Sequence, residues 1–294
     1  MGEVLATLLG IAQDGGFPQP GCILECCNGV RVDSQKKYSP VALGITGMDG
    51  STHLFEATRD LGRQFEIWSD SGQPSVSLAS LCLTHAHLGH IDGLGLFGRE
   101  VMAVKGLILY CSQSLSELIN QTPAWRMLVE QGVIKPTIWT PNKPFTPSPN
   151  CGFTITAIPV PHRSELSDNH ALIITGPNQN LLFMPDHDAW EMTLKSQNAT
   201  SIREWLQSLE IDIALIDGTF WNQNELPHRD MSEIPHPTIS ETISRLGLRK
   251  EEDPDIQFIH LNHTNPILNE KSEQFQQLSA TGWKRSSEGD YWSL

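Results

Sequence analysis

The sequence predicts a mixed α/β fold. Short apolar segments of strand length alternate with capped, amphipathic segments in both halves of the chain. Apolar residues make up 39% of the 294 residues, which is enough for a buried core, and no shift in composition marks a linker. Two β-rich halves with interleaved helices are predicted to form one domain over residues 1–294.

In the first half, apolar segments bounded by turn residues predict a series of strands. They lie at 4–11, 41–46, 52–56, 80–84 and 107–111. Residues 13–22 are rich in Gly and Pro and predict a loop. Helices are predicted from a cap at Thr58 to about Trp68, from near Asp92, and at 113–121 and 123–131.

The second half repeats this alternation after a Pro-rich connection at 140–150. Strands are predicted at 153–160, 171–175, 181–184, 213–216 and 256–261. Ser201 with Glu204 forms a capping box, and Thr238 with Glu241 marks a second capped helix. A last helix is predicted over about 272–280.

The composition excludes several classes of function. The chain carries 20 Lys and Arg against 34 Asp and Glu, a net charge of −14. Broad binding to nucleic-acid phosphates needs a basic surface, so it is not expected. The sequence contains no apolar run long enough to predict a membrane span.

The N-terminus does not resemble a signal peptide, because Met1-Gly2-Glu3-Val4-Leu5 lacks a basic region and a long apolar region. We therefore expect a cytoplasmic protein. A periplasmic or secreted location is the alternative if a signal peptide has been removed. The expected partner is a small-molecule substrate, and a homodimer is an open alternative to a monomer.

Three histidines follow the predicted strand at 80–84 within six residues. His85, His87 and His90 stand at i, i+2 and i+5 on a turn that leads into a helix. Imidazole is the commonest protein ligand for zinc-class metals. A hydrogen-bonded core histidine is the plain alternative, but three together directly after a strand fit it poorly. The tract therefore predicts a histidine-rich metal site.

The segment Thr84-His85-Ala86-His87-Leu88-Gly89-His90 resembles the T-H-x-H-x-D-H signature of the metallo-β-lactamase superfamily. The resemblance implies the four-layer αββα sandwich of the metallo-β-lactamase fold. It also implies that the first two histidines hold one metal ion, while the Asp and the last histidine hold a second. Gly89 stands in place of the Asp, and glycine offers no side-chain ligand, so the resemblance leaves the second site incomplete.

The same resemblance implies further ligands at the ends of later strands. His162 matches the third ligand of the first ion, Asp186 the carboxylate shared by two ions, and His260 the last histidine of the second. Asp188 is the rival of Asp186, and His263 is the rival of His260. The first of each pair is preferred because it follows its strand directly. A rigid sheet can bring such ligands together from distant parts of a chain.

The implied site holds one or two ions. The metal ligands are His85, His87, His90, His162, Asp186 and His260. Zinc is the expected metal at this site. Two imidazoles and one carboxylate are also the ligands of non-haem iron oxygenases, so iron remains open, as does manganese.

Four further motifs resemble the branch of the superfamily that contains the pyrroloquinoline-quinone biosynthesis protein B. They lie at 15–19, 216–221, 234–237 and 258–266, in the order that the branch has them, and the likeness runs over nearly the whole chain. Asp217, Trp221 and His236 lie in these motifs and are candidates for substrate binding, with packing beside the site as the alternative. The intact pair His85 and His87 departs from that branch and favours a more hydrolase-like site.

Cys22, Cys26 and Cys27 cluster in the loop at the start of the chain. The loop resembles that of related members, including phosphodiesterases of the phosphonate pathway, in which three cysteines hold a structural zinc. Their fourth ligand is a histidine three residues after the last active-site histidine, which matches His263. The resemblance therefore implies a structural zinc on a Cys₃His set. A vicinal thiol pair without metal, or a disulfide, is the alternative.

These observations lead to three hypotheses of function. The first is a metal-dependent hydrolase of a small ester, phosphodiester or lactone, in which His85 and His87 hold the metal and Asp186 orients a metal-bound hydroxide. The second is an iron-dependent hydroxylase that uses His90, Asp186 and His260 with O₂. The third is a non-catalytic binding module with a degenerate metal site, which Gly89 favours.

Overall fold

The computed structural model describes residues 2–31, 37–70, 77–226 and 228–294. The strands of the described residues, in chain order, are β1 (Leu5–Gly10), β2 (Ala42–Thr46), β3 (Thr52–Phe55), β4 (Leu78–Cys82), β5 (Leu107–Cys111), β6 (Ile134–Ile138), β7 (Thr154–Pro159), β8 (His170–Thr175), β9 (Asn180–Met184), β10 (Ile213–Asp217), β11 (Asp255–Ile259), β12 (Lys284–Arg285) and β13 (Tyr291–Ser293).

The α-helices of the same ranges are α1 (Glu25–Asn28), α2 (Leu61–Asp70), α3 (Leu88–Ile91), α4 (Gln113–Gln121), α5 (Pro123–Glu130), α6 (Trp190–Ser196), α7 (Ile202–Ser208), α8 (Ile239–Leu246) and α9 (Glu273–Ala280). Short 3₁₀ helices cover Asp92–Phe97, Met231–Glu233 and Pro266–Leu268. None of the helices in the described part of the chain combines the length and apolarity that crossing a membrane requires.

The strands form two sheets. The first has the order β13-β1-β2-β3-β4-β5-β6, and the second has the order β12-β11-β10-β9-β8-β7. β3 to β6 pair in parallel, as do β9 to β12, while the hairpins at the start of each half pair antiparallel. As a result β1, β3 and β4 run in one direction in the first sheet, and β7, β9 and β11 run in one direction in the second.

Alternating side chains fill two apolar layers. Leu8 and Phe55 point into the core between the sheets, whereas their neighbours Leu9 and Leu54 point to the outer face of the first sheet. This split follows from the two-residue period of a strand, which sends successive side chains to opposite faces. Strands buried on both faces need apolar residues at nearly every position, and in β1 the sole polar residue is Thr7.

The helices cover the outer faces of both sheets. Trp68 of α2 and Leu115 of α4 pack on the first sheet. Trp190 of α6, Trp205 of α7 and Ile239 of α8 belong to the core cluster of the second sheet. The four-layer αββα prediction is therefore confirmed. That residues 1–294 form one domain stays a prediction. The core cluster that contains residues of both halves agrees with it.

Some predicted elements differ from the structure. The helix expected from near Asp92 begins at Leu88, and a 3₁₀ helix follows it. β6 was not predicted, because Pro136 and exposed positions disguise a strand that lies at the edge of its sheet, where proline is tolerated. α6 was not predicted either, because its N-cap, Ala189, gives no capping signal.

Candidate metal centre

The predicted metal ligands follow the carboxyl ends of strands. His85 follows β4, His162 follows β7, Asp186 follows β9 and His260 follows β11. Strands that run in one direction end at the same edge of a sheet, which explains why residues far apart in sequence reach one place. The structure brings all six predicted active-site ligands together at this edge, in overlapping groups whose ligand atoms lie within 4.8 Å of one another.

Three imidazoles form the first group. The Nδ1 atom of His87 lies 3.0 Å from Nε2 of His85 and 3.1 Å from Nε2 of His162. Nitrogen ligands about 2.1 Å from one ion are separated by about 3.0 Å at a right angle and about 3.4 Å in a tetrahedron. The observed spacing therefore fits three ligands of a single ion.

Asp186 lies between this group and the second pair of histidines. Its Oδ2 atom is 3.6 Å from Nε2 of His85 and 2.9 Å from Nε2 of His90, while its Oδ1 atom is 3.5 Å from Nδ1 of His260. The side chain is almost fully buried. Asp186 therefore occupies the position expected of a carboxylate shared by two ions.

Asp14 also reaches this site, and the sequence analysis missed it. Its Oδ1 atom lies 3.6 Å from Nε2 of His90 and 3.8 Å from Nε2 of His260. The available signal was the combination of a missing ligand at Gly89 with a carboxylate in the Gly-rich loop after β1. The strand directions add to this signal, because β1 ends at the same edge of the first sheet as β3 and β4.

Glu56 is the second residue that sequence reasoning missed. It is fully buried at the end of β3, accepts a 2.6 Å hydrogen bond from Thr84 Oγ1 and lies with Oε1 3.5 Å from Nδ1 of His90. Its φ of 73° is in the left-handed region, which is costly for a residue other than glycine. The signal was a strand that ends in a carboxylate, the pattern already used for Asp186.

The structure separates the two pairs of rivals. Oδ1 of Asp188 lies 3.0 Å from Nδ1 of His162, so it supports a ligand from behind. His263 lies with the clustered cysteines instead of the active-site histidines. Thr219 supports His260 in a similar way, with Oγ1 2.9 Å from its Nδ1 atom. Such outer contacts fix the orientation of a metal-binding imidazole.

Of the substrate-binding candidates, two come together beside the ligands. Nδ1 of His236 lies 2.8 Å from Oδ2 of Asp217 and 3.5 Å from Oδ1 of Asp186. Asp217 is fully buried and holds His236 and Thr219 in place. Trp221 is only 6% exposed and packs in the apolar core.

The electrostatics of His85 and His87 favour the neutral form that a metal-binding imidazole needs. Burial lowers the pKa of His85 well below its usual range, and burial with the nearby His162 lowers the pKa of His87 to about 4. Both imidazoles are therefore neutral at pH 7, as metal ligands must be. Burial alone would raise the pKa of Asp186, but His260 and His90 hold it well below its usual range.

Several buried polar atoms point into the site without a hydrogen-bond partner among the described residues. They are Oδ1 of Asp14, Oδ2 of Asp186 and Nε2 of His260. Buried polar atoms normally have partners, because an unpaired one costs about 1–3 kcal/mol. A cation at this point would give a partner to buried polar atoms that otherwise lack one. The residues present therefore fit the metal that the sequence led us to expect.

A second cluster contains the three cysteines and His263. The Sγ atom of Cys26 lies 3.8 Å from Sγ of Cys22 and 3.9 Å from Sγ of Cys27. Nδ1 of His263 lies 3.5 Å from Sγ of both Cys26 and Cys27. Ligands of a tetrahedral zinc are separated by about 3.8 Å between thiolates and about 3.6 Å between thiolate and imidazole. The four predicted ligands thus have the spacing of a zinc site.

The chemistry of the cysteines agrees with a cation. Burial, together with the neighbouring Cys27 and Cys22, raises the pKa of the Cys26 thiol to about 12. Thiolates crowded in this way need a positive charge to stabilise them. The cysteines are free, and the observed Sγ separations are far longer than the about 2.05 Å of a disulfide.

Comparison with known proteins shows what this fold and site resemble. The coenzyme PQQ synthesis protein B of Nitrosococcus oceani is 27% identical over 313 residues, covering 97% of this chain and 98% of its own. The crystal structure of Zn²⁺-bound PqqB from Methylobacterium extorquens superposes with a TM-score of 0.76 at 19% identity, covering 99% and 100% of the two chains. A diphosphatase from the PhnP family has a TM-score of 0.67 at 16% identity, covering 99% and 96%.

The family model described as a β-lactamase superfamily domain matches residues 54–252. This segment contains five of the six predicted active-site ligands, and His260 lies just beyond it. The expected metallo-β-lactamase fold, the enzyme class that goes with it and the likeness to the PqqB branch are thereby confirmed. The chain belongs to the β-lactamase superfamily.

Proposed function

We propose that this protein is a metal-dependent hydrolase of a small ester, phosphodiester or lactone. One observation carries the proposal: the buried carboxylate of Asp186 lies between the imidazoles of His85 and His90, 3.6 Å and 2.9 Å away. A carboxylate that lies between two groups of imidazoles is suited to bind two neighbouring cations. Two neighbouring metal ions are suited to hydrolysis at a carbonyl or phosphoryl centre.

His85, His87 and His162 would hold the first ion, and Asp186, His90 and His260 would hold the second. When bound, such ions make water more acidic and polarise the bond to be cleaved. The protein's own residues then position the reactants. Asp186 is ionised because its pKa is held low, and we assign it to orient the attacking water.

His236 and Asp217 are suited to proton transfer beside the site. Burial would lower the pKa of His236, but the charge of Asp217 and its hydrogen bond outweigh burial and raise that pKa. A protonated imidazole 3.5 Å from Asp186 Oδ1 can give its proton to a leaving group. Asp217 would keep the imidazole of His236 oriented and would balance its positive charge.

The Cys₃His cluster would hold a third, structural zinc. It would join Cys22, Cys26 and Cys27, which lie in α1 and just before it, to His263 in the segment after β11. Zinc on free thiolates fits a reducing compartment, which supports a cytoplasmic location.

The function is tested by metal content and hydrolysis measured on the same preparation. Zinc, iron and manganese are counted per chain by elemental analysis of protein purified without added metal. An aryl phosphodiester, an aryl ester and a lactone are then assayed; the phosphodiester is included because one structural neighbour is a diphosphatase. The expected result is two or three zinc ions per chain and turnover of at least one substrate.

Two variants make the test specific. His85→Ala should abolish turnover and lower the metal count while the fold is retained. His53→Gln is the matched control, because His53 is a buried histidine that bonds Ser80 outside the metal cluster. Full activity in a correctly folded His85→Ala protein would refute the proposal.

A second candidate is an iron-dependent hydroxylase in coenzyme PQQ synthesis. The observation that favours it is the match to coenzyme PQQ synthesis protein B over 97% of the chain. His90, Asp186 and His260 form two imidazoles and one carboxylate, a ligand set that iron oxygenases use. Stoichiometric iron with O₂ consumption would establish this reading. Failure to bind any active-site metal would instead leave a binding module, which the convergent ligands disfavour.

A further inference from the structure

We propose that Asp14 is the carboxylate ligand of the second metal ion and takes the place of the aspartate that Gly89 replaces. The inference rests on the proposed function, since it concerns an ion of that same site. It also goes beyond the family signature, in which this ligand comes from the turn after the fourth strand. Here it would come from the loop after β1.

The position of Asp14 carries the inference. Its Oδ1 atom lies 3.6 Å from Nε2 of His90 and 3.8 Å from Nε2 of His260, and these three atoms form one potential ligand group. Oδ1 is buried and has no hydrogen-bond partner among the described residues. Asp186 adds Oδ2 at 2.9 Å from Nε2 of His90. Three donor atoms, from Asp14, His90 and His260, therefore form one group without help from residue 89, and Asp186 contacts this group at His90.

Asp14 also fills the space that a side chain at position 89 would use. A Cβ atom added to Gly89 would lie 2.0 Å from Oδ1 of Asp14 and 2.6 Å from its Cα atom. The second distance involves backbone, which cannot move aside as a flexible side chain can. Gly89 is therefore required for the loop that carries Asp14 to lie this close. The absence of a ligand at position 89 and the presence of one at position 14 thus depend on each other.

Backbone hydrogen bonds hold the loop against the strand that carries His260. Leu261 N donates to Ile11 O over 2.8 Å, and Gln13 N donates to Leu261 O over 2.8 Å. Leu261 directly follows His260, so the pairing fixes the loop beside this ligand. Ligands held by such a framework lose little freedom when a metal binds, which favours affinity.

The charge of Asp14 suits the role. Burial opposes its ionisation, but the neighbouring imidazoles of His260 and His90 lower the pKa of Asp14 to about 2. The group is an anion at neutral pH, as a carboxylate ligand must be. Together with Asp186 it would give the second ion two negative charges and two imidazoles.

Metal stoichiometry tests the inference without relying on activity. Wild-type protein is loaded with zinc, dialysed against metal-free buffer and counted by elemental analysis, and its affinity is measured by competition with a chromophoric chelator. We expect three zinc ions in the wild type and two in Asp14→Ala. The affinity for the lost ion should fall by more than about 100-fold, because loss of an outer contact alone costs 10- to 100-fold.

Two further variants separate ligand loss from general effects. Gly89→Ala keeps every metal-ligand side chain in the sequence but displaces the loop that carries Asp14. It should therefore also lower the number of zinc ions per chain to two. Asp92→Asn removes a nearby carboxylate whose Oδ2 atom is 2.6 Å from Arg59, and it should keep three ions. Circular dichroism checks that each variant is folded.

The outcomes distinguish this inference from the proposed function. Three ions with unchanged affinity in folded Asp14→Ala would overturn the role of Asp14. A wild type with a single active-site ion would overturn it as well. Two active-site ions that depend on Asp14, in a protein that hydrolyses none of the substrates, would uphold Asp14 and refute the hydrolase proposal instead.

Discussion

The Sγ atom of Cys27 lies 3.5 Å from Nδ1 of His263, although 236 positions separate the two residues in sequence. Cys27 is fully buried, and Leu261 pairs with the N-terminal strand two residues before His263. The contact thus ties the first loop of the chain to its last third. A zinc ion at this point would act as a cross-link between them.

Removal of a ligand from this cluster should release one zinc and weaken the fold. We expect Cys26→Ser to lose one zinc per chain and to unfold at a lower temperature. In the chain-entropy model, a cross-link across a loop of this length stabilises by at most about 5 kcal/mol. Elemental analysis and thermal unfolding measure both effects.

Cys151→Ala is the control for this variant, since Cys151 is a buried thiol outside the cluster. It should keep the zinc count of the wild type. An unchanged zinc count in Cys26→Ser would show that the cluster holds no metal.

Asp188 should control the affinity of the first ion through His162. Its Oδ1 atom is 3.0 Å from Nδ1 of His162, which leaves Nε2 to face the other ligands. We expect Asp188→Asn to weaken zinc binding at this site by about 10- to 100-fold, as is usual for an outer partner of a ligating histidine. Competition with a chelator measures the change.

Asp168→Asn provides the comparison, because Asp168 lies 3.9 Å from His170, a histidine outside the metal groups. It should leave zinc affinity unchanged. Equal losses in the two variants would mean that the effect is one of general charge, not of support for His162.

His236 should matter most for substrates with poor leaving groups. A proton donor assists departure of an alkoxide but is hardly needed by a nitrophenolate. We expect His236→Gln to lower kcat on alkyl substrates by about 100-fold or more, with a much smaller loss on aryl substrates. Steady-state assays on matched alkyl and aryl pairs measure the difference.

His170→Gln serves as the buried-histidine control and should affect both substrates alike. A His236→Gln protein that loses alkyl and aryl turnover to the same extent would argue for substrate positioning or packing, the alternatives considered for His236 from sequence.

Glu225 should make stability depend on pH. Burial raises its pKa from 4.5 to about 7, while hydrogen bonds from Thr264 and the Trp221 amide oppose the rise. Between pH 4.5 and about 7 the folded protein therefore binds more protons than the unfolded chain. Its free energy of unfolding should decrease as pH rises through about 4.5 to 7, by about 3 kcal/mol from this group.

Replacing Glu225 by Gln removes this titration. The difference in unfolding free energy between wild type and Glu225→Gln should change across that interval, as measured by denaturant unfolding at several pH values. Glu130→Gln, an exposed carboxylate, should show no such change. Parallel pH profiles for wild type and Glu225→Gln would contradict the prediction.

His85 was predicted from the histidine-rich tract that follows a strand, whereas Asp186 and His260 were assigned through the resemblance, with their positions at strand ends favouring them over their rivals. The structure brings the three side chains together at one edge. The cysteine loop and His263 were linked only through the resemblance, since nothing in their spacing predicts contact across more than two hundred residues. Glu56 was missed although it obeys the same strand-end pattern, because the family signature drew attention to histidines.

The sequence by itself determined most of the strands, the side chains that offer metal-binding atoms and the acidic net charge of −14. These properties are local or additive, so they can be read from composition and period. The tertiary structure decided which strand ends meet. Asp14 and Gly89 are the example: sheet order and strand direction, which no local pattern encodes, bring the loop after β1 against the turn after β4 and give a glycine a neighbouring carboxylate.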